Sequence, residues 1–271
     1  MCPGREHPFK AGILIGMIEL KTNASLDAMR EAGRVVARAL AAVRKSAAVG
    51  ISLRELDEVA HEVLREAGAG SPFLGYRPHF AATAYPATLC VSVNDAIVHG
   101  IPTDYRLRDG DLVSADFGAT LKGWAGDAAV SFTVGTARPE DLRLIETAER
   151  ALAAGIAAAT VGNRIGDIAH AVGTVCRGAG YGIMDGFGGH GVGRQMHEDP
   201  SVPNEGPAGR GLPLRHGLVL AIEPMLIAGG GDGFRTDPDG WTLRTEDGSR
   251  AAHVEHTVAI TDAGPRILTA P

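Results

Sequence analysis

The chain has 271 residues, 45% hydrophobic and 21% charged, with a formal net charge of −6. This is the composition of a globular protein large enough for a substantial core, and an acidic balance without a basic run excludes nucleic acid as the main partner. No apolar run reaches the length of a membrane span, and three cysteines without C-x-x-C spacing exclude a disulfide scaffold and read as free thiols of a cytoplasmic protein.

Residues 1–16 read as a loose extension. Arg5 and Lys10 precede the apolar stretch AGILIGMI, but Glu19 and Lys21 stand where a small-residue cleavage site should be, so this is not a secretory signal, and Met17 is a second candidate start. Residues 17–271 are expected to form one domain. Residues 27–48 are alanine-rich with apolar residues at helical spacing. Ser52 opens a second helix with Glu55 in capping-box position, ending near Gly68. From Ala87 to Val134 short valine-rich runs between Gly, Asp and Asn predict strands. Pro139 starts a helix to about Ala159, residues 163–179 form another, and strands are expected to resume near Gly217.

The two halves match in letters as well as in type. RALAAVRKSAAVG (38–50) lies over RALAAGIAAATVG (150–162), and LRDGDLVSAD (107–116) over LRHGLVLAIE (214–223). DAAVSFT from Asp127 then lies over EHTVAIT from Glu255. This predicts two related α+β halves about a pseudo-two-fold axis, closing on one site. The repeat superimposes Asp116 on Glu223 and Asp127 on Glu255, each in or ending an apolar strand. Any one of them alone would read as a solvent-facing strand end. Four together, without interleaved Arg or Lys, would repel one another unless cations neutralise them. Two divalent ions balance four carboxylates, and an oxygen-rich set with one histidine suits Mn, Fe, Co or Zn.

The remaining stretch is DGFGGHGVGRQMHEDP, 185–200. Gly186, Gly188 and Gly191 match a dinucleotide fingerprint, but Pro200 and Pro203 fall where its helix should run. The glycines are instead expected to form a loop that lets backbone and substrate pass close to the ions. His190 is the imidazole donor of that loop, and His197 faces the same cleft. H-E-x-x-H, G-x-S-x-G and G-K-[ST] motifs are absent from the sequence.

At these residues the chain resembles the type I methionine aminopeptidases, members of the pita-bread metallopeptidase fold shared with creatinase and prolidase. The resemblance spans roughly Met17 to Thr269. It rests on VNDAIVHGIP, GDLVSADFGA, GWAGDAAVSF, GGHGVGRQMHEDP, LAIEPM and WTLRTEDGSRAAHVEHTV. It implies an α+β pita-bread fold whose two halves enclose a dinuclear site, with Asp116, Asp127, His190, Glu223 and Glu255 as metal ligands. Asp127 and Glu255 would bridge two ions (Co, Mn, Fe or Zn). His99 and His197 would contact the scissile amide, and Glu223 would also shuttle a proton. Tyr76, Tyr85, Cys90, Met225 and Trp241 fall at pocket positions suited to a methionine side chain. Phe73 stands where many members carry cysteine, and Met196 where phenylalanine is common, which bears on the pocket outline rather than on the reaction. The implied activity is removal of the initiator methionine from nascent chains with a small second residue, by a monomer acting on peptide N-termini at the ribosome. Two other readings stand beside it: an Xaa-Pro peptidase of the same fold, and a non-enzymatic binding relative.

Overall fold

The structure, a computed structural model, describes residues 18–78 and 81–271; the extension read at residues 1–16 lies outside them. The chain opens with α1 (Asn23–Ser46) and α2 (Leu53–Ala67), followed by β1 (Cys90–Val93), β2 (Ala96–Val98), β3 (Leu112–Leu121) and β4 (Trp124–Thr133). The second helical pair is α3 (Pro139–Ala158) and α4 (Ile165–Gly178). Then come β5 (Gly182–Ile183), β6 (Gly188–Gly191), β7 (Glu198–Pro203), β8 (Val219–Ile222) and β9 (Met225–Ile227). β10 (Phe234–Thr236), β11 (Leu243–Thr245), β12 (Ala251–His253), β13 (Glu255–Thr261) and β14 (Gly264–Ile267) complete it.

Local chemistry sets the helix ends. Thr22 caps α1 by accepting from the Ser25 N–H, so this helix begins four residues before the predicted start. Ser52 and Glu55 form the expected capping box of α2, and Gly68 closes it at φ 61° in the left-handed region. Among the described residues no helix is long and apolar enough to cross a membrane.

The large sheet runs β1-β3-β4-β13-β8-β6-β7, with β14 on β13. β4 and β13 sit at its centre, flanked by β3 and β8, so the repeated sequences meet about an axis between the two central strands. Alternation sends every second side chain to the helices. Val113, Ala115, Phe117, Ala128 and Phe132 pack with α1 and α2, and Leu220, Ile222, Val258 and Ile260 with α3 and α4. Their neighbours in sequence, Asp116, Asp127, Glu223 and Glu255, are thereby turned to the opposite face. Two small sheets, β10-β11-β2 and β12-β9-β5, complete the molecule.

One expectation is corrected. Strands resume at Gly182, not near Gly217, and the glycine-rich stretch around His190 is strand β6 rather than a loop. The letters hide it because glycine carries no β signature. A Cβ on Gly189 would come within 2.0 Å of the Ala221 carbonyl oxygen, and one on Gly191 within 2.2 Å of that of Asp199. These glycines exist because neighbouring backbones lie against them. Pro200 and Pro203 sit in β7, which ends the sheet order, where a missing N–H costs no ladder bond.

Candidate metal centre and cleft

Register carries the acidic residues to one spot. Cys90 pairs with Asp116, Asp116 with Ala129, and Ala129 with Glu255, giving one row across β1, β3, β4 and β13. Asp127 lies two residues before Ala129 and shares its face. Glu223 follows β8 directly, its carbonyl accepting from the Asn204 side-chain amide at 2.9 Å.

His190 reaches the same spot from β6. Its Nδ1 lies 2.9 Å from the Gly191 carbonyl, an acceptor only, so Nδ1 carries a proton and Nε2 is the ring nitrogen that faces the acids. Nε2 is 3.9 Å from Asp127 Oδ2 and 3.6 Å from Glu223 Oε1. Donor atoms that share one ion at about 2.1 Å are themselves roughly 3–4 Å apart, so this spacing suits a common cation. Asp127, His190 and Glu255 offer donor atoms all within 4.8 Å of one another, as do Glu223, His253 and Glu255. Asp116 belongs to neither set of three; its carboxyl lies against that of Asp127.

The electrostatics fit divalent cations. Asp116 Oδ1, Asp127 Oδ1 and Glu255 Oε1 are buried without a hydrogen-bond partner. No Lys or Arg among the described residues pairs with these carboxylates or with Glu223; His190 faces Asp127 and Glu223, and His253 faces Glu223. Burial, and then the neighbouring acids, push Asp116 and Glu255 well above the usual carboxylate range. Burial raises Asp127 to about 7, helped by the Glu223 charge, and raises Glu223 to about 7 against the pull of His190. A cluster that resists its own charge this strongly is one that cations would relieve.

Above it opens a cleft of about 320 Å³. All five acidic and histidine donors line it, and so do His99, His197, Tyr76, Cys90 and Trp241. Phe73, Tyr85, Met196 and Met225 complete an apolar wall. His99 adopts φ 59°, a left-handed conformation that is uncommon outside glycine, and its ring meets Trp241 edge-on at 6.2 Å. Burial lowers its imidazole to about 4, so His99 is neutral near pH 7. His197 stacks on Tyr76 at 5.2 Å, with its ring centroid 4.3 Å from that of His190. The Tyr85 hydroxyl donates to the carbonyls of Leu89 and Gly100, tying the pocket wall to the His99 turn. Trp241 Nε1 donates to Thr83 at 3.2 Å.

Two residues near the centre escape sequence reasoning. Lys21, 5% exposed, donates to Glu198 at 2.8 Å and so anchors the turn that carries His197. His253 lies behind Glu223, its Nε2 3.4 Å from Oε2. It ends β12, in a different sheet from Glu255, so strand alternation in the sequence gives no signal for it.

A sequence model described as "Metallopeptidase family M24" matches residues 27–262. Methionine aminopeptidase 1 of Mycobacterium tuberculosis is 53% identical over 260 residues, covering 93% of this chain and 95% of the relative. The crystal structure of methionine aminopeptidase from Thermotoga maritima superposes with a TM-score of 0.90 at 38% identity, over 94% of this chain and all of that one. Prolidase from Pyrococcus furiosus superposes at 0.72 with 22% identity, over 93% of this chain and 65% of its own, a likeness of fold alone.

Proposed function

The chain belongs to the methionine aminopeptidases of metallopeptidase family M24, enzymes that remove the N-terminal methionine of a polypeptide, and we propose that it does so with two divalent cations held by Asp116, Asp127, His190, Glu223 and Glu255. The observation that carries this reading is the convergence of four carboxylates and one imidazole nitrogen at the floor of an apolar cleft. Glu255 belongs to both groups of clustered donors, and Asp127 lies near His190 and against Asp116, so these two carboxylates would hold the cations together with the other three residues. Four negative charges match two divalent cations, and His190 adds a neutral donor. When bound, such cations polarise the scissile carbonyl and lower the pKa of a water molecule.

The protein's own groups do the rest. Phe73, Tyr85, Met196, Met225 and Trp241 receive the methionine side chain, whose soft thioether suits aromatic and sulfur neighbours. Tyr76 and Cys90 border the same pocket. Neutral His99 and His197 donate hydrogen bonds to the amide as charge develops on it. Glu223 accepts the proton of the attacking water and passes it to the departing amine. The substrate is a nascent chain with a small second residue, met at the ribosome. Cys90 and Cys176, both free and buried, suit the reducing cytoplasm, where a monomer would act. The test is metal analysis of the purified protein, followed by hydrolysis of Met-Gly-Met against an Xaa-Pro peptide. Release of methionine with about two ions per chain is expected. Cleavage of only the Xaa-Pro peptide would overturn the substrate assignment.

A further inference from the structure

His253 has no part in the ligand set proposed above, yet it is 2% exposed and its Nε2 has no hydrogen-bond partner among the described residues. The other buried atoms in that condition belong to Asp116, Asp127 and Glu255. An imidazole nitrogen among them is therefore aimed into the polar centre rather than into apolar core.

Its backbone is fixed with unusual thoroughness. Ser114 and Ser131 are register partners on β3 and β4, with hydroxyls 2.8 Å apart. Ser131 donates its one hydrogen to the His253 carbonyl at 2.8 Å, so Ser114 must be the donor within the pair. The His253 N–H in turn points at both hydroxyls, at 3.2 and 3.1 Å. Two buried serines hold one residue of β12 against the centre of the large sheet.

Held there, the ring addresses one oxygen of Glu223. Nε2 is 3.4 Å from Oε2, whereas Oε1 is the oxygen 3.6 Å from His190 Nε2. Each Glu223 oxygen has its own imidazole. From this juxtaposition we infer that His253 is a positioning residue of the metal centre: 3.4 Å from Glu223 Oε2, its Nε2–H is placed to donate there once cations occupy the site, and would keep Oε1 on the side of His190. A ligand role for His253 itself fits less well, because its nearest acid oxygen is the one turned away from His190, and the ring does not line the cleft. Hydrogen bonds to the outer atom of a ligand orient it and raise metal affinity.

The inference rests on the proposed ligand set, and the experiment separates the two. Co(II) is titrated by calorimetry into the metal-free full chain as wild type, His253→Leu, His253→Gln and His190→Ala, with the visible Co(II) spectrum recorded. His253→Leu removes the donor and should weaken Co(II) binding on the order of 10–100-fold. His253→Gln, whose amide can donate to a carboxylate, should recover most of that loss with an unaltered spectrum. Circular dichroism checks the fold; should the Leu variant not fold, His253→Asn, too short to reach Oε2, replaces it. Wild-type affinity in the variant lacking the donor overturns the inference, as does a Gln variant that is equally weak or spectrally changed, which would make His253 a direct ligand. If His190→Ala also binds as wild type, the ligand set itself fails; if only His190→Ala loses Co(II), this inference alone does.

Discussion

His190 and His197 have ring centroids 4.3 Å apart, yet their surroundings give them different work. His190 donates Nδ1–H to a carbonyl and faces carboxylates, while His197 stacks on Tyr76 at the mouth of the cleft. His190→Ala should therefore lower both metal content and rate. His197→Ala should keep its metal and lose about 10²–10³ in kcat, the cost of one donor to a developing charge. Metal analysis beside peptide kinetics checks the division, and equal metal loss in both variants would sink it. The acids carry a second expectation. In the metal-free protein Asp127 and Glu223 take up protons with values raised to about 7, against roughly 4 in the unfolded chain. Raised carboxylates contribute stability that is whole below the unfolded value and lost as pH rises through the folded one. The melting temperature of metal-free protein should thus fall by several degrees between pH 5 and pH 8. Added Co(II) should stabilise more at pH 8, since its ligands must be deprotonated. A metal-free melting temperature that rises over this range would contradict the clustering of the acids.

At the scale of elements, β6 is the exposed weakness of the design. It carries His190 between β7 and β8, and its fit depends on the missing side chains at Gly188, Gly189 and Gly191. All three face backbone carbonyls that cannot swing aside, and Gly189 is the tightest, its Cβ falling 2.0 Å from the Ala221 oxygen. Gly189→Ala should destabilise by about 3 kcal/mol, the upper end for overpacking, and should displace His190 enough to weaken metal binding. Gly178→Ala, with nothing near its Cβ, is the control. Chemical denaturation of both variants checks this, and equal stabilities would mean that β6 has room to shift. The α2 capping box shows the opposite case, a helix start legible from local sequence, to which the fold adds the bonds from the Leu53 and Arg54 N–H groups to the Tyr105 and Thr103 carbonyls.

For the whole molecule, what matters is how the halves are closed. The two central strands meet, with Thr257 of β13 donating to the Asp127 carbonyl at 2.7 Å and accepting the Asp127 N–H at 2.9 Å. That reciprocal pair sets the distance between the acids contributed by each half. The N-terminal segment adds one more tie, Lys21 to Glu198. A chain beginning at Met17 keeps this lysine and should retain its melting temperature and kcat. A chain beginning at Asn23 loses it, leaving Glu198 without its cation beside the cleft, and should lose on the order of 1–2 kcal/mol and some activity. Thermal melts and methionine release from the two shortened chains give the answer. A large loss in the first would assign residues 1–16 a structural role.

Much of this was determined by the sequence alone. The duplicated halves, the helix caps at Ser52 and Gly68, and the acidic residues at repeated strand positions are local or periodic properties, readable because each depends on near neighbours in the chain. The resemblance carried by GDLVSADFGA and GGHGVGRQMHEDP pointed to the family in the same way. What only the tertiary structure decided depends on partners far away in sequence. The stretch around His190 is a strand because Ala221 and Asp199 press on its glycines, and glycine composition by itself reads as loop. Lys21 reaches the cleft only because the fold brings it to Glu198, and His253 matters only because a serine pair on two other strands aims it at Glu223. Proximity of this kind leaves no mark on spacing or composition, since nothing in either half alone specifies which carbonyl, carboxylate or hydroxyl the other will bring.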